Sequence, residues 1–297
     1  MNINRNKQLI GHLLALFTII VWGTTFIATK LLLTDFSPIH IMLMRFTLAY
    51  VVLFILKPKP LFVDVKTEAQ FALLGLFGCT LYFLTENNAL TYTYAANVSI
   101  IVASAPILTA LLVHLFHKEE KVDRNNIYGF LIAFLGVAMV VFNGTVVLKL
   151  NPKGDILSLL SAFTWAMYSL LQIPLLKRFD AVLLTRRVML WGFITVLPVA
   201  LISGKPIDFT PLLHNGTELF CILFLGIIGS GICYVTWNLA TRRLGVVITS
   251  NYIYINPFVT MVTAALVLHE RVTWMGVAGA VLIICGVIFS DRGKAKK

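Results

Sequence analysis

Two segments of the chain share one pattern: LLGLFGCTLYFLTENNAL at residues 73–90 and FLGIIGSGICYVTWNLAT at residues 224–241. Two glycines and one asparagine keep the same spacing in both segments, and these are Gly75, Gly78 and Asn87 in the first and Gly226, Gly229 and Asn238 in the second. All three pairs are 151 residues apart, which indicates an internal repeat. Both segments are also apolar over a length that suits a helix crossing a membrane.

The whole chain has the composition of a protein whose solvent is largely lipid. Of its 297 residues, 59% are hydrophobic and only 12% are charged, whereas a soluble domain carries about 25% charged residues. This balance excludes a disordered or collagenous chain and argues against a soluble enzyme. A transmembrane helix needs about 20 apolar residues, so ten of them fit in about two thirds of this length.

Apolar runs follow one another along the chain, and they lie at residues 11–33, 38–56, 70–91, 95–116, 127–148, 154–176, 184–203, 218–240, 246–268 and 272–290. They predict an all-α, polytopic membrane protein with ten transmembrane helices. The first run is too long for the core of a signal peptide, so we expect it to be retained as a span.

The distribution of basic residues predicts the orientation. With the N-terminus in the cytoplasm, eighteen Lys and Arg residues fall in cytoplasmic segments and four in outer segments. This asymmetry fits the positive-inside rule and places both termini in the cytoplasm. The net charge of +11 is therefore better explained by membrane orientation than by nucleic-acid binding.

The repeat covers the whole set of spans. Further matched pairs are Trp22 with Trp165, Pro106 with Pro257, Gly129 with Gly279 and Gly136 with Gly286. The predicted units are a first repeat at residues 1–148, a second at residues 154–290 and a basic cytoplasmic tail at residues 291–297.

Each repeat has five spans, an odd number, so the second is inverted relative to the first. Inverted five-helix repeats around a central cavity are typical of secondary transporters, although a duplicated scaffold without transport is an alternative.

Beyond the first four residues of each predicted span, three charged side chains lie within the spans: Lys30, Arg45 and Glu86. A charge in the hydrocarbon region costs about 2.5–3.5 kcal/mol on insertion scales, so it usually faces the protein interior and has a partner. We expect Glu86 to pair with Arg45 or Lys30, either as a structural ion pair or as part of a site. The functional hypothesis is that Arg45 binds a substrate carboxylate and that Glu86 binds a substrate amine or a coupling proton. For Lys30, snorkelling to the surface is the favoured interpretation.

Pro106 and Pro257 lie in the middle of predicted spans. Each proline removes the helical hydrogen bond to the carbonyl four residues earlier, at Val102 and at Ile253. The freed carbonyls could bind a ligand or allow the helix to bend during gating. A static kink is the alternative.

Polar and aromatic residues on the spans complete the predicted substrate site, and these are Trp22, Asn87, Trp165, Tyr168, Trp237, Asn238, Tyr252 and Asn256. Aromatic walls with a few polar groups suit amphipathic metabolites. Ordinary packing is the alternative for the aromatic rings, and hydrogen bonds between helices are the alternative for the asparagines.

Several motifs together resemble one family, and these are Trp22-Gly23-Thr24-Thr25-Phe26, Arg45-Phe46, Ala89-Leu90-Thr91-Tyr92-Thr93, Ala96-Asn97-Val98-Ser99 with Pro106, and Glu270-Arg271-Val272 with Gly279 and Gly286. In this combination the chain resembles the EamA family of the drug/metabolite transporter superfamily over essentially its whole length. The resemblance implies ten helices, a cavity between the halves and movement of small metabolites, often amino acids and usually outward. Nucleotide-sugar and sugar-phosphate carriers resemble the same superfamily.

The sequence therefore predicts a secondary transporter in the cytoplasmic membrane that exports a small-molecule substrate, with protons as the coupling ion or with facilitated diffusion. No nucleotide-binding loop, catalytic cluster or metal-ligand spacing is present, so we expect no cofactor, no metal and no enzymatic activity. An intramembrane enzyme and a non-transporting scaffold are the alternatives from other classes.

Overall fold

The computed structural model describes residues 2–58, 62–93, 95–116, 124–142, 151–204, 206, 209–268 and 274–291. Across these residues the secondary structure is helical, without strands, as the apolar runs predict. The predicted basic tail and the motif Glu270-Arg271-Val272 lie outside the described residues, apart from Asp291.

The first half consists of seven α-helices and one π-helical segment in the described residues, and these are α1 (Asn2–Leu32), α2 (Pro38–Leu56), α3 (Val65–Gly75), π1 (Leu76–Leu81), α4 (Tyr82–Tyr92), α5 (Ala95–Val102), α6 (Ala105–Phe116) and α7 (Arg124–Phe142). Helices α3, π1 and α4 follow one another without a gap and form one rod. The predicted span at residues 95–116 is divided, because α5 ends at Val102 and α6 begins at Ala105.

The second half has an equivalent series in the described residues, and its members are α8 (Pro152–Arg178), α9 (Ala181–Ser203), α10 (Thr210–His214), α11 (Gly216–Leu223), π2 (Phe224–Ile232), α12 (Cys233–Leu244), α13 (Val246–Asn251), a 3-10 segment (Tyr252–Ile255), α14 (Asn256–Leu268) and α15 (Trp274–Asp291). Helices α11, π2 and α12 again form one rod. The predicted span at residues 246–268 contains the 3-10 segment between two α-helices.

Six helical rods in the described part of the chain are long and apolar enough to cross a membrane, and they are Asn6–Leu32, Pro38–Leu56, Val65–Tyr92, Pro152–Arg178, Ala181–Ser203 and Gly216–Leu244. Three shorter apolar helices accompany them, at Ala105–Phe116, Asn125–Met139 and Val277–Phe289. The chain is therefore a multi-pass membrane protein.

Several helices begin at a side chain that accepts a hydrogen bond from an exposed backbone N–H. Ser37 caps α2 and Asp180 caps α9, each through the N–H three residues later. Asp64 caps α3, and Asn215 caps α11. The first pair is 143 residues apart and the second pair 151 residues apart. These are the offsets of the sequence repeat, so equivalent helices begin at equivalent residues.

Segments π1 and π2 lie inside the two sequence segments that share the glycine pattern. π-helical turns are rare and occur frequently at functional sites. Because the backbone is widened there, some carbonyl oxygens accept hydrogen bonds from other helices. Trp22 Nε1 donates to Gly229 O at 2.9 Å, and Tyr234 Oη donates to Gly78 O at 2.7 Å.

Helices α7 and α15 cross at a contact with reciprocal geometry. A Cβ atom added to Gly136 would lie 2.6 Å from Gly279 O, and one added to Gly286 would lie 2.7 Å from Gly129 O. The repeat pairs Gly129 with Gly279 and Gly136 with Gly286, so each half makes the same contact to the other. Small residues allow such close approach of helices in a membrane.

Glycines of the rods α3–π1 and α11–π2 show the same reciprocity. A Cβ on Gly75 would lie 2.6 Å from Trp191 Cβ in α9, and a Cβ on Gly226 would lie 2.7 Å from Leu48 Cβ in α2. Leu48 and Trp191 are themselves 143 residues apart. The two halves therefore pack against each other through equivalent surfaces.

One end of the molecule is held together by ion pairs between the halves. Lys57 Nζ pairs with Asp180, and Arg187 pairs with Glu68. Trp191 Nε1 also donates to Glu68 Oε2, at 3.1 Å. Arg187 is one of the eighteen basic residues counted above in cytoplasmic segments, and the structure places it inside α9, where it is 3% exposed. The partner Glu68 explains this, since a buried charge needs an opposite charge.

The glycine contact of α7 and α15 leads to a stability prediction. The Gly286→Ala variant adds a Cβ 2.5 Å from the backbone nitrogen of Ala133, and overpacking of this kind typically costs about 1–3 kcal/mol. We expect a clear fall in Tm of the purified protein in detergent. The Gly216→Ala variant is the matched control, because no atom lies within 4 Å of its added Cβ. Equal Tm values for both variants would contradict the described crossing.

Candidate functional site

A cavity lies between the two halves, about midway along the helices. Its volume is about 30 Å³, enough for a few water molecules at about 10–15 Å³ each. The described lining residues are Trp22, Thr25, Phe26, Arg45, Tyr82, Phe83, Glu86, Val102, Trp165, Tyr234, Ile253 and Asn256. Pockets for small ligands measure about 300–1,000 Å³. The cavity is therefore too small for a metabolite, and the helices must separate before it can hold one.

Glu86 supplies the carboxylate of this cavity. It lies on α4 and is 6% exposed. Tyr82, one helical turn earlier, donates its hydroxyl to Glu86 Oε1 at 2.6 Å. The bond can form because residues four apart share a helix face. It fixes the orientation of the carboxylate and gives one of its oxygens a hydrogen-bond partner.

Arg45 supplies the cation of the cavity. It lies on α2, is 2% exposed and donates through Nε to Ser230 Oγ at 2.8 Å. Its guanidinium lies over the ring of Phe83, 3.9 Å from the centroid, a favourable cation–π contact. Arg45 and Glu86 thus line the same cavity, but in the described residues each uses another side chain as its hydrogen-bond partner. Glu86 and Arg45 form no direct ion pair among the described residues.

An aromatic cluster forms one wall. The rings of Trp22 and Trp165, which are equivalent in the repeat, meet edge to face with centroids 5.2 Å apart. Tyr82 packs on Trp165 at 5.2 Å, and Tyr234 packs on Trp22 at 5.5 Å. Trp237, the repeat equivalent of Glu86, lies behind this wall with its ring 5.1 Å from Trp22. The wall contributes apolar surface to the cavity that the two charges also line.

Two polar atoms of the lining have no hydrogen-bond partner among the described residues. They are the indole nitrogen of Trp165 and the side-chain oxygen of Asn256, and both are buried. One is a donor and the other an acceptor. An unpaired buried polar group costs about 1–3 kcal/mol, so both atoms are available to a polar ligand or to water.

The two helix interruptions that precede Pro106 and Pro257 both line the cavity. Val102, at the end of α5, and Ile253, in the 3-10 segment, are both lining residues. The expectation of a freed carbonyl is wrong for Ile253, because the 3-10 turn lets the N–H of Asn256 donate to it. Pro106 and Pro257 themselves are not part of the lining.

The remaining predicted site residues lie outside the cavity lining. Asn238 bridges helices, since it accepts from Tyr168 Oη at 3.2 Å and donates to Thr185 Oγ1 at 3.0 Å. Tyr252 Oη hydrogen-bonds to His12 Nδ1 at 2.7 Å. Asn87 is buried beside Glu86, and its amide atoms have no partner in the described residues. Lys30 lies in the last turn of α1.

Sequence analysis did not predict seven of the lining residues as side chains of the site. These residues are Thr25, Phe26, Tyr82, Phe83, Val102, Tyr234 and Ile253. Tyr82 could have been predicted, because a hydroxyl four residues before a buried carboxylate can donate a hydrogen bond to it. The pairing of Arg45 with Ser230 joins residues 185 positions apart and leaves no local pattern.

Comparison with known proteins identifies this arrangement. The model of the EamA-like transporter family matches residues 9–142 and again residues 152–290. The chain belongs to the EamA-like transporter family. Membership of this transporter family implies a small-molecule substrate and membrane lipid as the surroundings.

Relatives of this EamA-like chain cover nearly its whole length. It is 29% identical to an uncharacterized transporter of Archaeoglobus fulgidus, over 93% of this chain and 95% of the relative. It is 24% identical to a Salmonella typhimurium protein named "Probable amino-acid metabolite efflux pump", over 94% of each. A solved crystal structure shares its fold with a TM-score of 0.74 over 98% of each chain, at 19% identity.

Proposed function

We propose that the protein is a secondary transporter that exports amino acids or related amphipathic metabolites across the cytoplasmic membrane by alternating access. The observation that carries this proposal is a small cavity between the two halves that is lined by one carboxylate, one guanidinium and a cluster of aromatic rings. The name of the Salmonella typhimurium relative supports amino acids as the substrate class and outward movement as the direction.

The proposal includes ten transmembrane helices arranged as two inverted repeats, at residues 1–148 and 154–290. Two family matches, equivalent helix caps and reciprocal glycine contacts support this arrangement. The pair between Lys57 and Asp180 further supports it, because the end of α2 and the start of α9 must then face the same side. Both termini are cytoplasmic in this topology, as the excess of basic residues requires.

An amino-acid zwitterion matches the charges of the cavity. Arg45 keeps its terminal guanidinium nitrogens for a carboxylate while Nε remains on Ser230, and charge-assisted bonds of this type are strong. Glu86 keeps one oxygen for an ammonium while the other remains on Tyr82. A sugar phosphate brings two negative charges, and Arg45 is the single cation among the described lining residues. The geometry thus favours the zwitterion over the sugar-phosphate alternative.

Glu86 also provides a means of coupling transport to protons. The buried carboxylate can be neutralised by a proton or by a substrate ammonium. The two ligands compete, because only the Glu86 oxygen that does not bind Tyr82 is open to them. A proton entering from outside would therefore displace the ammonium, and the returning carrier would release that proton inside. The transporter is then a substrate/proton antiporter, and binding of one ligand shifts the equilibrium between the two open states.

Transport by purified protein in proteoliposomes tests this function. Vesicles preloaded with one unlabelled amino acid each are assayed for counterflow of the same labelled amino acid, with sugar phosphates and nucleosides as comparison sets. We expect saturable counterflow for a subset of amino acids and internal pH changes that follow it. Chemical conversion of a solute would instead indicate an enzyme, and the absence of movement for every set would contradict the transporter.

A further inference from the structure

We propose that one face of α8, from Trp165 to Leu176, lines the cytoplasmic half of the translocation path, and that Ser169 and Gln172 contact the solute as it leaves or enters the central cavity. This inference rests on the proposed transport function and extends it to a specific path. Neither residue lies on the lining of the central cavity.

The face is continuous along the helix. Residues 165, 169, 172 and 176 follow at intervals of four, three and four, so their side chains fall within about 60° of each other around the axis. The distance from Trp165 to Leu176 along α8 is about 16 Å at about 1.5 Å per residue. A solute following this face crosses roughly half of the hydrocarbon thickness.

Each end of the face opens into a cavity. Trp165 lines the central cavity. Leu176 lines a second cavity of about 400 Å³, where α8 ends next to the start of α13. Ile173, adjacent to Gln172, also lines this second cavity, together with Lys177 and Arg242. Gln172 therefore lies between the small central cavity and a larger space at the end that carries the basic residues Lys177 and Arg242.

The segment between the cavities contains polar atoms with no partner in the described part of the chain. They are Ser169 Oγ and both amide atoms of Gln172, and the two residues are 2% and 0% exposed. Two unpartnered hydroxyls, of Thr109 and Tyr254, lie on elements that pack nearby. Helix α6, which carries Thr109, packs on α8, and Tyr254 belongs to the same apolar cluster as Ile173.

Unpaired buried polar groups are costly in a static core, about 1–3 kcal/mol each. A closed path explains them, because the same atoms gain partners when the helices separate and water or solute enters. The equivalent positions on α1 are Phe26 and Thr29. The polar side chain at residue 169 therefore has no counterpart in the first repeat, whereas the one at residue 172 does.

Thiol accessibility tests the path without knowledge of the substrate. Cys79, Cys221, Cys233 and Cys285 are replaced by Ala, and Ser169→Cys and Gln172→Cys are introduced separately. A membrane-impermeant, positively charged methanethiosulfonate is added to inside-out vesicles, which expose the cytoplasmic face. Met167→Cys is the control, because residue 167 is about 160° from residue 169 around the helix and at nearly the same depth.

We expect the thiols at 169 and 172 to react at least ~10-fold faster than the thiol at 167, because a thiol reacts as its thiolate and needs an aqueous surrounding. Two results would contradict the proposed path. In one, the thiols at 169 and 172 react no faster than the thiol at 167 from either side of the membrane. In the other, they react faster from the outer side than from the cytoplasmic side. Tm values near that of the cysteine-free parent show that each variant is folded. The thiol assay does not depend on the solute. If the thiols are accessible but no amino acid is transported, the proposed substrate class is rejected and the proposed path is retained.

Discussion

Replacement of Glu86 by Gln is expected to lower proton-coupled transport about 100-fold or more. The substitution keeps the size of the side chain and its position beside Tyr82, but it removes the negative charge that the cavity offers to an ammonium or a proton. A charged hydrogen bond contributes about 1.5–3 kcal/mol, which corresponds to about 10- to 150-fold in binding, and loss of coupling adds to this. Initial rates of counterflow and of pH change in proteoliposomes provide the measurement.

Glu218→Gln is the matched control for this experiment. Glu218 is also a glutamate that is 6% exposed, but it lies in α11 beside Asn215 and outside the described cavity lining. We expect this variant to retain transport. Normal coupled transport by Glu86→Gln, or equal losses in both variants, would remove Glu86 from the proposed mechanism.

Replacement of Glu68 by Gln is expected to destabilise the protein by about 3–5 kcal/mol, because the buried Arg187 then keeps its charge without a partner. The shape of the side chain is retained, but glutamine has a single acceptor oxygen where the carboxylate accepts from Trp191 at one oxygen and from Val63 N–H at the other, so the loss of one acceptor adds to the loss of charge. Thermal unfolding of purified protein, followed by the loss of a monodisperse peak, measures the fall in stability.

Lys57→Met is the control for the second experiment. This pair also joins the halves, but its side chains are 28% and 41% exposed, and pairs of this kind contribute about 0–1 kcal/mol. We therefore expect a small change in Tm. If Glu68→Gln were as stable as Lys57→Met, Arg187 would have to reach water, and the described burial of the pair would be wrong.

The sequence predicted the apolar helices and the two charged residues of the cavity for simple physical reasons. Runs of about 20 apolar residues have few structural alternatives in a membrane. Charges within such runs, as at Arg45 and Glu86, must face the protein interior. Trp22, Trp165 and Asn256 were also predicted as site residues and lie on the lining.

The remaining features depend on contacts between distant parts of the chain. Arg187 belongs to a group of basic residues at a span boundary, and only the packing of α3 on α9 shows that Glu68 reaches it. The π-helical turns change which residues face the cavity, since they shift the register between Gly75 and Asn87 relative to a regular helix. Asn87 and Asn238 occupy equivalent positions, but among the described residues only the side chain of Asn238 has hydrogen-bond partners, at Tyr168 and Thr185.

The crossing of α7 and α15 has a consequence for biosynthesis. Helix α7 leaves the ribosome about 150 residues before α15 does, so its glycine surface faces lipid or the insertion machinery throughout synthesis of the residues in between. In the part of the chain that the structure describes, α15 covers that surface. A chain that stops before α15 therefore displays an unoccupied helix-packing surface within the bilayer, which gives quality-control proteases a physical mark by which to distinguish unfinished molecules from complete ones.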